Sequence, residues 1–556
     1  MRPWLAASWI GALALFGACA RDDLAPQGTV VCEGAVDVPD PALRALLLEI
    51  LGDPEAHDST GGEPVLTAES LATLTGLQAA ELGITEVVGL ECAVNLRTLG
   101  LARNKIADIR PLTYLTELRE VELTNNPIAR HDVLARLVQL EKLVLGRTGV
   151  ADISFVAGMS GLRHLDLARG EVVDLAPLAG LTNLESLVLS DNKISDISPL
   201  AGLRSLFALQ LVGNDIRDIS PLAGLTRLEY LDLDENDIRS LAPLADLTRL
   251  RRLRANANAI TDTAGLAGKP DLVELGLEKN QIAALSGLSG LTGLVTLDLD
   301  ENLLTSLDGL ETVPRLRTLT ARLNAIDDIS AVAGLTDLRR LDLRDNPTLV
   351  DLGPVAGLKY LDYLGVGGQG VAPDLAPLAG LPLLRQLDVI DAAVADYAVV
   401  ATLPALRVLR VLNAPLDADD LAAIAGALEL TTLDISGAPI VDLGPLAPLT
   451  ELVDFSANGT QITALGPVTD WLRLDILRVA RTPLQSLAGI ETVLGVDQID
   501  ISDTQVDDIS VLLTIMAFRK NDRLDARGAP LDEGDCGDIL ALRERGVTVL
   551  ADPECE

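Results

Sequence analysis

The chain is poor in the side chains that most chemistry needs. Aromatic residues make up 2% of its 556 positions, histidines number 3 and cysteines 5. Bases and sugars are commonly held on exposed aromatic faces, so this scarcity argues against single-stranded nucleic acid and carbohydrate as ligands. Two of the three tryptophans, Trp4 and Trp9, lie in an N-terminal segment that reads as a removable leader, which leaves fewer platforms still. The histidines, His57, His131 and His164, are too scattered for a His-based triad or a paired-histidine metal motif. Basic residues are also short: 44 Lys and Arg stand against 81 Asp and Glu, for a net charge of -37. Such a field repels phosphate backbones and anionic lipid, whose binding depends on Lys and Arg releasing counterions. Nucleic acid is therefore not expected as a partner, and the charge reads as solubility for an elongated body. Beyond the leader no run offers the ~18 uncharged apolar residues of a membrane-spanning helix.

Repetition is abundant instead. Asn104, Asn126, Asn192, Asn214, Asn236, Asn258, Asn280, Asn302, Asn324 and Asn346 are separated by multiples of 22 residues. Each sits in the frame Leu-x-x-Leu-x-Leu-x-x-Asn-x-Ile or a close variant. This frame and period resemble the leucine-rich-repeat family. The resemblance implies an α/β solenoid, a horseshoe with a parallel β-sheet on its concave face and 3₁₀ or short helical turns on its convex face. It also overrides the several domains that 556 residues would otherwise suggest, because a solenoid extends one core by adding turns.

Leu184 to Ser205 shows how one turn works. Leu187 and Leu189, two apart, are the inward side chains of a strand. Ile194, Ile197, Leu200 and Leu203, three apart, fit a tight 3₁₀ stretch. Ser195 or Asp196, ahead of Ile197-Ser198-Pro199-Leu200, supplies the polar residue and the proline that start it. A 22-residue turn with this back resembles the internalin-like subclass. The recurring Asn has a structural task, since its amide has two donors and an acceptor for backbone groups at the bend after the strand.

The leader begins with Arg2 and an apolar run from Leu5 to Phe16, the layout of a secretory signal peptide. Its end, Phe16-Gly17-Ala18-Cys19, resembles a bacterial lipobox, which implies a diacylated Cys19. By the same resemblance Ala20 is compatible with outer-membrane sorting. The alternative is ordinary cleavage after Ala18-Cys19-Ala20, which discards Cys19 and leaves a secreted soluble protein. Residues 20 to 31 are short and polar with Pro and Gly, and read as a tether.

Four cysteines remain, and export favours disulfides. In a solenoid Cys32 and Cys92 flank the N-terminal end and Cys536 and Cys555 the far end. Bonded Cα atoms must lie within ~7 Å, which leaves the pairs Cys32 to Cys92 and Cys536 to Cys555. Each loop encloses a cap. In the first, Asp40 and Pro41 start a helix carrying Leu43, Leu46, Leu47 and Leu51, and a second helix begins near Thr67 with Leu71 and Leu74. In the second, Ile539, Leu540 and Leu542 precede a last strand at Val547 to Val549. The expected organisation is signal peptide 1-18, lipidated N-terminus and linker 19-31, N-terminal cap and first turn 32-95, repeats 96-533 and C-terminal cap 534-556.

Motifs that imitate catalytic sites fail on inspection. Gly365-Val366-Gly367-Gly368-Gln369-Gly370 satisfies G-x-G-x-x-G, yet Leu364 and Val366 occupy strand slots and no long helix follows. Asp298-x-Asp300-x-Asn302 and Asp232-x-Asp234-x-Asn236 lack the later glycine and glutamate of a calcium loop. The chain is expected to be no enzyme and to need no cofactor or metal. Binding is the expected activity, through side chains beside the inward leucines on the concave face: Tyr230, Asp232, Asp234, Arg252, Arg254, Asp298, Asp300, Arg322, Arg340, Arg344 and Tyr363, with the tyrosines and arginines as anchors. The expected partner is a protein of the cell envelope or exterior, bound by a monomer whose only membrane attachment is its N-terminal lipid. Alternating charge on the same face could instead be solvated rungs that neutralise one another. After Asn346 the spacing drifts, read at Gln369, Ala392, Ala414, Ala438, Asn458, Thr482, Thr504 and Ala529; such insertions usually become loops on one face, sometimes binding loops, and simple divergence is the reading preferred to a binding role.

The register makes Leu189 an inward side chain. Leu189→Asp should lower stability by about 4 kcal/mol or more, through lost packing and a buried charge. A thermal melt with an unchanged midpoint would show the register to be misplaced.

Overall fold

A computed structural model describes residues 32-51 and 65-555. The leader, Cys19 and the tether lie outside the described residues. The chain forms two compact units, one running to Leu140 and including Ser154-Met159, the other comprising Glu141-Ile153 and everything from Ser160 onward.

The first unit starts with helix α1, Pro41-Leu51, and the short α2, Ala68-Ala72. The buried Asp40 carboxylate anchors α1: one oxygen accepts from the N-H groups of Ala42 and Leu43, the other from the N-H and hydroxyl of Thr85. A helix N-terminus leaves such donors unpaired, and an aspartate cap satisfies them. Thr67 and Ser70 cap α2 reciprocally. Leu43, Leu47 and Leu71 are fully buried. Cys32 and Cys92 are bonded, with Cα atoms 5.5 Å apart. Parallel strands Gly76-Gln78, Thr98-Gly100 and Glu120-Glu122 follow, each paired with the next at a register of 22 residues.

In the second unit the same turn recurs from the strand Lys142-Val144 to the strand Thr548-Leu550, always parallel and each strand beside its sequence neighbour. In the turn chosen above, Ser186-Val188 is the strand and Ser198-Gly202 the 3₁₀ segment. Leu187, Leu189, Ile194, Ile197, Leu200 and Leu203 are all buried. Asp196 accepts from the N-H of Ser198 at 2.8 Å and so opens the 3₁₀ turn from two residues upstream. Asp218 and Asp328 do the same for Ser220 and Ser330. Helix α3, Ala418-Ile424, replaces the 3₁₀ segment in one turn, and α4, Cys536-Glu544, closes the unit with the Cys536 to Cys555 disulfide, Cα atoms 5.3 Å apart.

The asparagine amides bond backbone groups of the strand ends and of the turn before. Asn280 Nδ2 donates to the carbonyls of Ala255 at 2.9 Å and Leu277 at 3.0 Å, while its Oδ1 accepts from the N-H of Ile260 at 3.0 Å. Asn104, Asn126, Asn192, Asn214, Asn236, Asn258, Asn302, Asn324 and Asn346 make the equivalent bonds to the residues 25 and 20 positions earlier. Thr148, Thr460, Thr482 and Thr504 keep the bond to the residue three before, and their hydroxyl replaces the amide there.

Two expectations for the C-terminal part need correction. The rung in its fifth irregular turn is Thr460, not Asn458, so Ala438, Thr460, Thr482 and Thr504 keep the 22-residue spacing. The extra residues after Asn346 do not all become loops either. They lengthen the strands to Tyr363-Val371, Gln386-Ala392 and Val408-Leu412. The glycines allow it: at Gly367, φ is +117° and a Cβ would stand 2.1 Å from the Ile390 carbonyl oxygen.

Asn280→Ala would orphan the Ala255 carbonyl and the Ile260 N-H, while the Leu277 carbonyl keeps Asn302 as a donor, and should cost about 2 to 4 kcal/mol, whereas Asn280→Thr should cost less because it keeps the near bond. Chemical denaturation of the two variants checks the order.

Candidate functional site

Along the strands the middle residue points into the core and its two neighbours away from it, so the side chains of interest form rows across the sheet of the second unit. One row runs Tyr230, Arg252, Glu274, Thr296, Thr318, Arg340, Tyr363, Gln386 and the next Asp232, Arg254, Gly276, Asp298, Thr320, Asp342, Gly365, Asp388. All eleven sequence-predicted surface residues lie on this face, but they divide into two regions.

The first region is open. Tyr230 is 41% exposed. Arg252 and Arg254 are both about half exposed and share one counter-ion, Glu274, at 2.8 Å each. Asp234 accepts from the backbone N-H of Asn256 at 2.6 Å and from its side-chain amide at 3.2 Å. Thr320 donates to Asp298, and the Arg322 N-H to Asp300 at 2.7 Å. The Arg322 guanidinium lies between Asp300 and Asp345, at 4.0 and 3.6 Å. Burial raises the carboxyls of Asp232 and Asp234 above their ordinary value, with Asp234 adding to the rise at Asp232. Asp300 is pushed up to about 6, chiefly by burial. Back-face Asp196, Asp218 and Asp328 are shifted the other way by the N-H groups they cap.

The second region is closed upon itself, and here the expectation of an exposed Tyr363 anchor fails. Tyr363 is 4% exposed. Its ring lies under the Arg340 guanidinium, 3.5 Å from ring centre, and its hydroxyl sits 3.1 Å from Asp342 and 3.0 Å from Asp388. One hydroxyl hydrogen serves one carboxylate at a time. Arg344 grips Asp342 through two bonds of 2.8 and 2.6 Å, and Arg410 approaches Asp388 at 3.6 Å. Burial works to raise Asp342, but the Arg344 guanidinium outweighs it and leaves the carboxyl below its ordinary value. Burial and the two carboxylates push the Tyr363 hydroxyl up, which keeps it protonated. Gly365 makes the cluster possible, since a Cβ there would stand 2.7 Å from Asp342 Oδ1 and 2.8 Å from the tyrosine oxygen. Sequence reasoning singled out the tyrosine as a hot-spot type. The glycine two residues on was the signal that its ring folds down.

Among the described residues no group of His, Cys, Asp and Glu is placed to hold a metal ion, and no helix is long and apolar enough to cross a membrane. The G-x-G-x-x-G segment is strand throughout, inside Tyr363-Val371. Asn302 and Asn236, which completed the apparent calcium motifs, spend their amides on the backbone ladder.

The family profile described as leucine rich repeat matches residues 160-216. The chain is a leucine-rich-repeat protein. Its fold is the disulfide-capped solenoid of that family. Among solved structures, a plant peptide hormone receptor, RGFR1 in complex with RGF2, is similar with a TM-score of 0.56 and 16% identity over 88% of this chain and 96% of the receptor chain. A leucine-rich-repeat protein of Leptospira interrogans has a TM-score of 0.51 and 17% identity over 87% of this chain and 97% of its own. An internalin of Listeria monocytogenes, InlF, is 26% identical over 77% of this chain and 98% of its own, with a TM-score of 0.41. No curated protein matches the chain.

Asp300 gives a pH test. Its folded-state value, about 6, lies above the ordinary 3.8, so ionisation costs stability. The cost is absent below the lower value, grows as the pH rises between the two, and is complete above the higher. Asp300→Asn keeps the oxygen that accepts from Arg322. It should stabilise the protein by about 1 to 2 kcal/mol at pH 7.5 and by nothing at pH 3.5. Denaturation at both pH values reads the difference.

Proposed function

We propose that this leucine-rich-repeat protein is a non-catalytic binding module of the internalin-like, 22-residue subclass, which captures a protein on the sheet face of its second unit. The observation that carries the reading is the pairing of an exposed aromatic with two cations that share a single carboxylate: Tyr230 beside Arg252 and Arg254, with only Glu274 between the arginines. Tyr and Arg on a rigid sheet lose little freedom on binding and recur at interface hot spots. Asp232, Asp234, Asp298 and Asp300 border the patch and would meet cationic groups of the partner. Arg322 sits between Asp300 and Asp345 and can be shared. Arg340, Arg344 and Tyr363 stiffen the neighbouring strands from within their own network and are rim, not anchor.

The two disulfides support export, because such bonds persist in oxidising compartments. In this proposal Cys19 carries the lipid that holds the protein to the envelope, by sorting to the outer membrane, and the lipid is its only membrane attachment. Removal of Cys19 with the leader would instead release a soluble secreted protein. The protein acts as a monomer, needs no cofactor and does not bind nucleic acid. A structural or adhesive surface protein without a dedicated partner is the second reading, favoured by the many ion pairs between adjacent turns, such as Arg163 to Glu185 and Arg217 to Asp237.

Cross-linking the full chain in its native envelope, followed by mass spectrometry, tests the proposal. A discrete protein should be captured, and Arg252→Glu with Arg254→Glu should reduce its capture about tenfold or more while the melting temperature stays unchanged. Undiminished capture by the double variant would reject this patch, and a diffuse mixture of species would favour the adhesive reading.

A further inference from the structure

In each back turn the buried residue that closes the 3₁₀ segment is followed by one that meets solvent. Through the regular part of the second unit this slot is polar or proline, as at Thr182, Arg204, Thr226, Thr248 and Pro270. Near the C-terminal end it turns apolar in three successive turns: Leu472 after Trp471, Leu494 after Val493, and Met516 after Ile515. Their exposures are 46%, 76% and 83%. The N-H of Leu494 lies 3.5 Å from the Leu472 carbonyl oxygen, so these two turns are direct neighbours, and Met516 holds the same slot in the turn after them. Single exposed leucines are ordinary on a soluble protein, but a stacked column on consecutive turns marks a contact surface.

The charge beside the column says what covers it. Asp475 and Asp497 follow Leu472 and Leu494 by three residues and stand on adjacent turns, the Asp497 N-H donating to the Asp475 carbonyl at 2.8 Å. Asp522 extends the row into the next turn. Burial raises the carboxyls of Asp475 and Asp522, and Asp497 adds to the rise at both. Of the nearby cations, Arg473 is paired with Glu451, Arg545 donates to the Leu513 and Ile515 carbonyls, and Arg519 and Lys520 lie in the three-residue insertion beyond Phe518, where the Arg519 N-H donates to Asp522. A second copy related by a twofold axis would set this acidic row against itself. An anionic lipid surface would be repelled by it. A segment with apolar side chains and Lys or Arg satisfies both features at once.

We infer that the Leu472, Leu494 and Met516 column, with Asp475 and Asp497 beside it, is a docking edge for a protein segment that alternates apolar and basic side chains. It is separate from the Tyr230 and Arg252 patch and holds whether or not that patch binds.

Met516 supplies its own reporter, because the only other methionine in the described residues, Met159, is fully buried. The probe is a fluorescent synthetic peptide of alternating Leu and Lys, with a Leu and Glu peptide as control, added to the full chain. The Leu and Lys peptide should bind saturably and slow peroxide oxidation of Met516 by about fivefold, while the control does neither. Leu494→Ser should weaken binding about tenfold and Asp497→Asn less, each without changing the melting temperature, since both side chains are exposed. Arg252→Glu should have no effect. Absence of saturable binding, unprotected Met516, or equal affinity in Leu494→Ser would overturn the inference. So would a dimer in sedimentation that Leu494→Ser abolishes, because the column would then belong to a second copy.

Discussion

In ten turns this fold depends on one side-chain amide that reaches into the turn before it. A three-residue strand ends abruptly, and at the bend the backbone turns inward, where water cannot satisfy its polar groups. Asn236 shows the solution: its amide nitrogen serves the carbonyls of Leu211 and Leu233, and its oxygen serves the N-H of Ile216. An unpaired buried backbone group costs ~1 to 3 kcal/mol, so each rung removes a penalty comparable with burying a leucine. Because these partners lie 25 and 20 residues back, the amide also sets the length of the turn. The stacking of Leu187 on Leu209 and Leu231 follows from that fixed length.

The large negative charge separates into two populations with opposite physics. On the back, Asp196, Asp218 and Asp328 are structural: each accepts a backbone N-H that starts a 3₁₀ turn, and these donors favour the ionised form. On the sheet face, Asp232, Asp234 and Asp300 are half-buried among other carboxylates, and burial disfavours ionisation. The first group stabilises the solenoid at neutral pH, while the second weakens it and would gain from a cation brought by a partner. Composition alone counts both groups equally.

The elements legible in the sequence were those that every turn repeats under one physical demand. Leu187 and Leu189 face inward because a two-residue period allows nothing else, and the cysteine pairs follow from their positions at opposite ends of the repeat array. What escaped depends on side chains from several turns meeting at one point. Tyr363 has the composition of an exposed anchor, and only the absence of a side chain at Gly365, together with Asp342 and Asp388 on flanking strands, turns its hydroxyl down. Asn458 looked like a rung because of its residue type, yet Phe455 and Ala457 are the inward pair that make Thr460 the residue at the bend. The turn after Asn258 holds a further surprise: Lys269 occupies the buried slot that Leu247 and Leu291 fill in adjacent turns, with its amine on the Ala245 carbonyl and burial lowering its pKa.

The ladder also explains why side chains on the sheet face and the turn edges are left without a structural task. Since asparagine and leucine satisfy the backbone and core of each turn, the outward strand positions carry no shared structural duty, and their identity changes from turn to turn. Tyr230, Arg252 and Glu274 occupy the same slot in successive turns with three unrelated chemistries, while Leu231, Leu253 and Leu275 beside them never vary. Where outward side chains do become structural, Asp342, Tyr363 and Asp388 are buried and paired, and so withdrawn from any partner. A residue free to recognise something is therefore one whose loss leaves both rung and core intact. By that criterion the two arginines around Glu274 and the leucines in the slot of Thr182 are surface the fold does not use for itself.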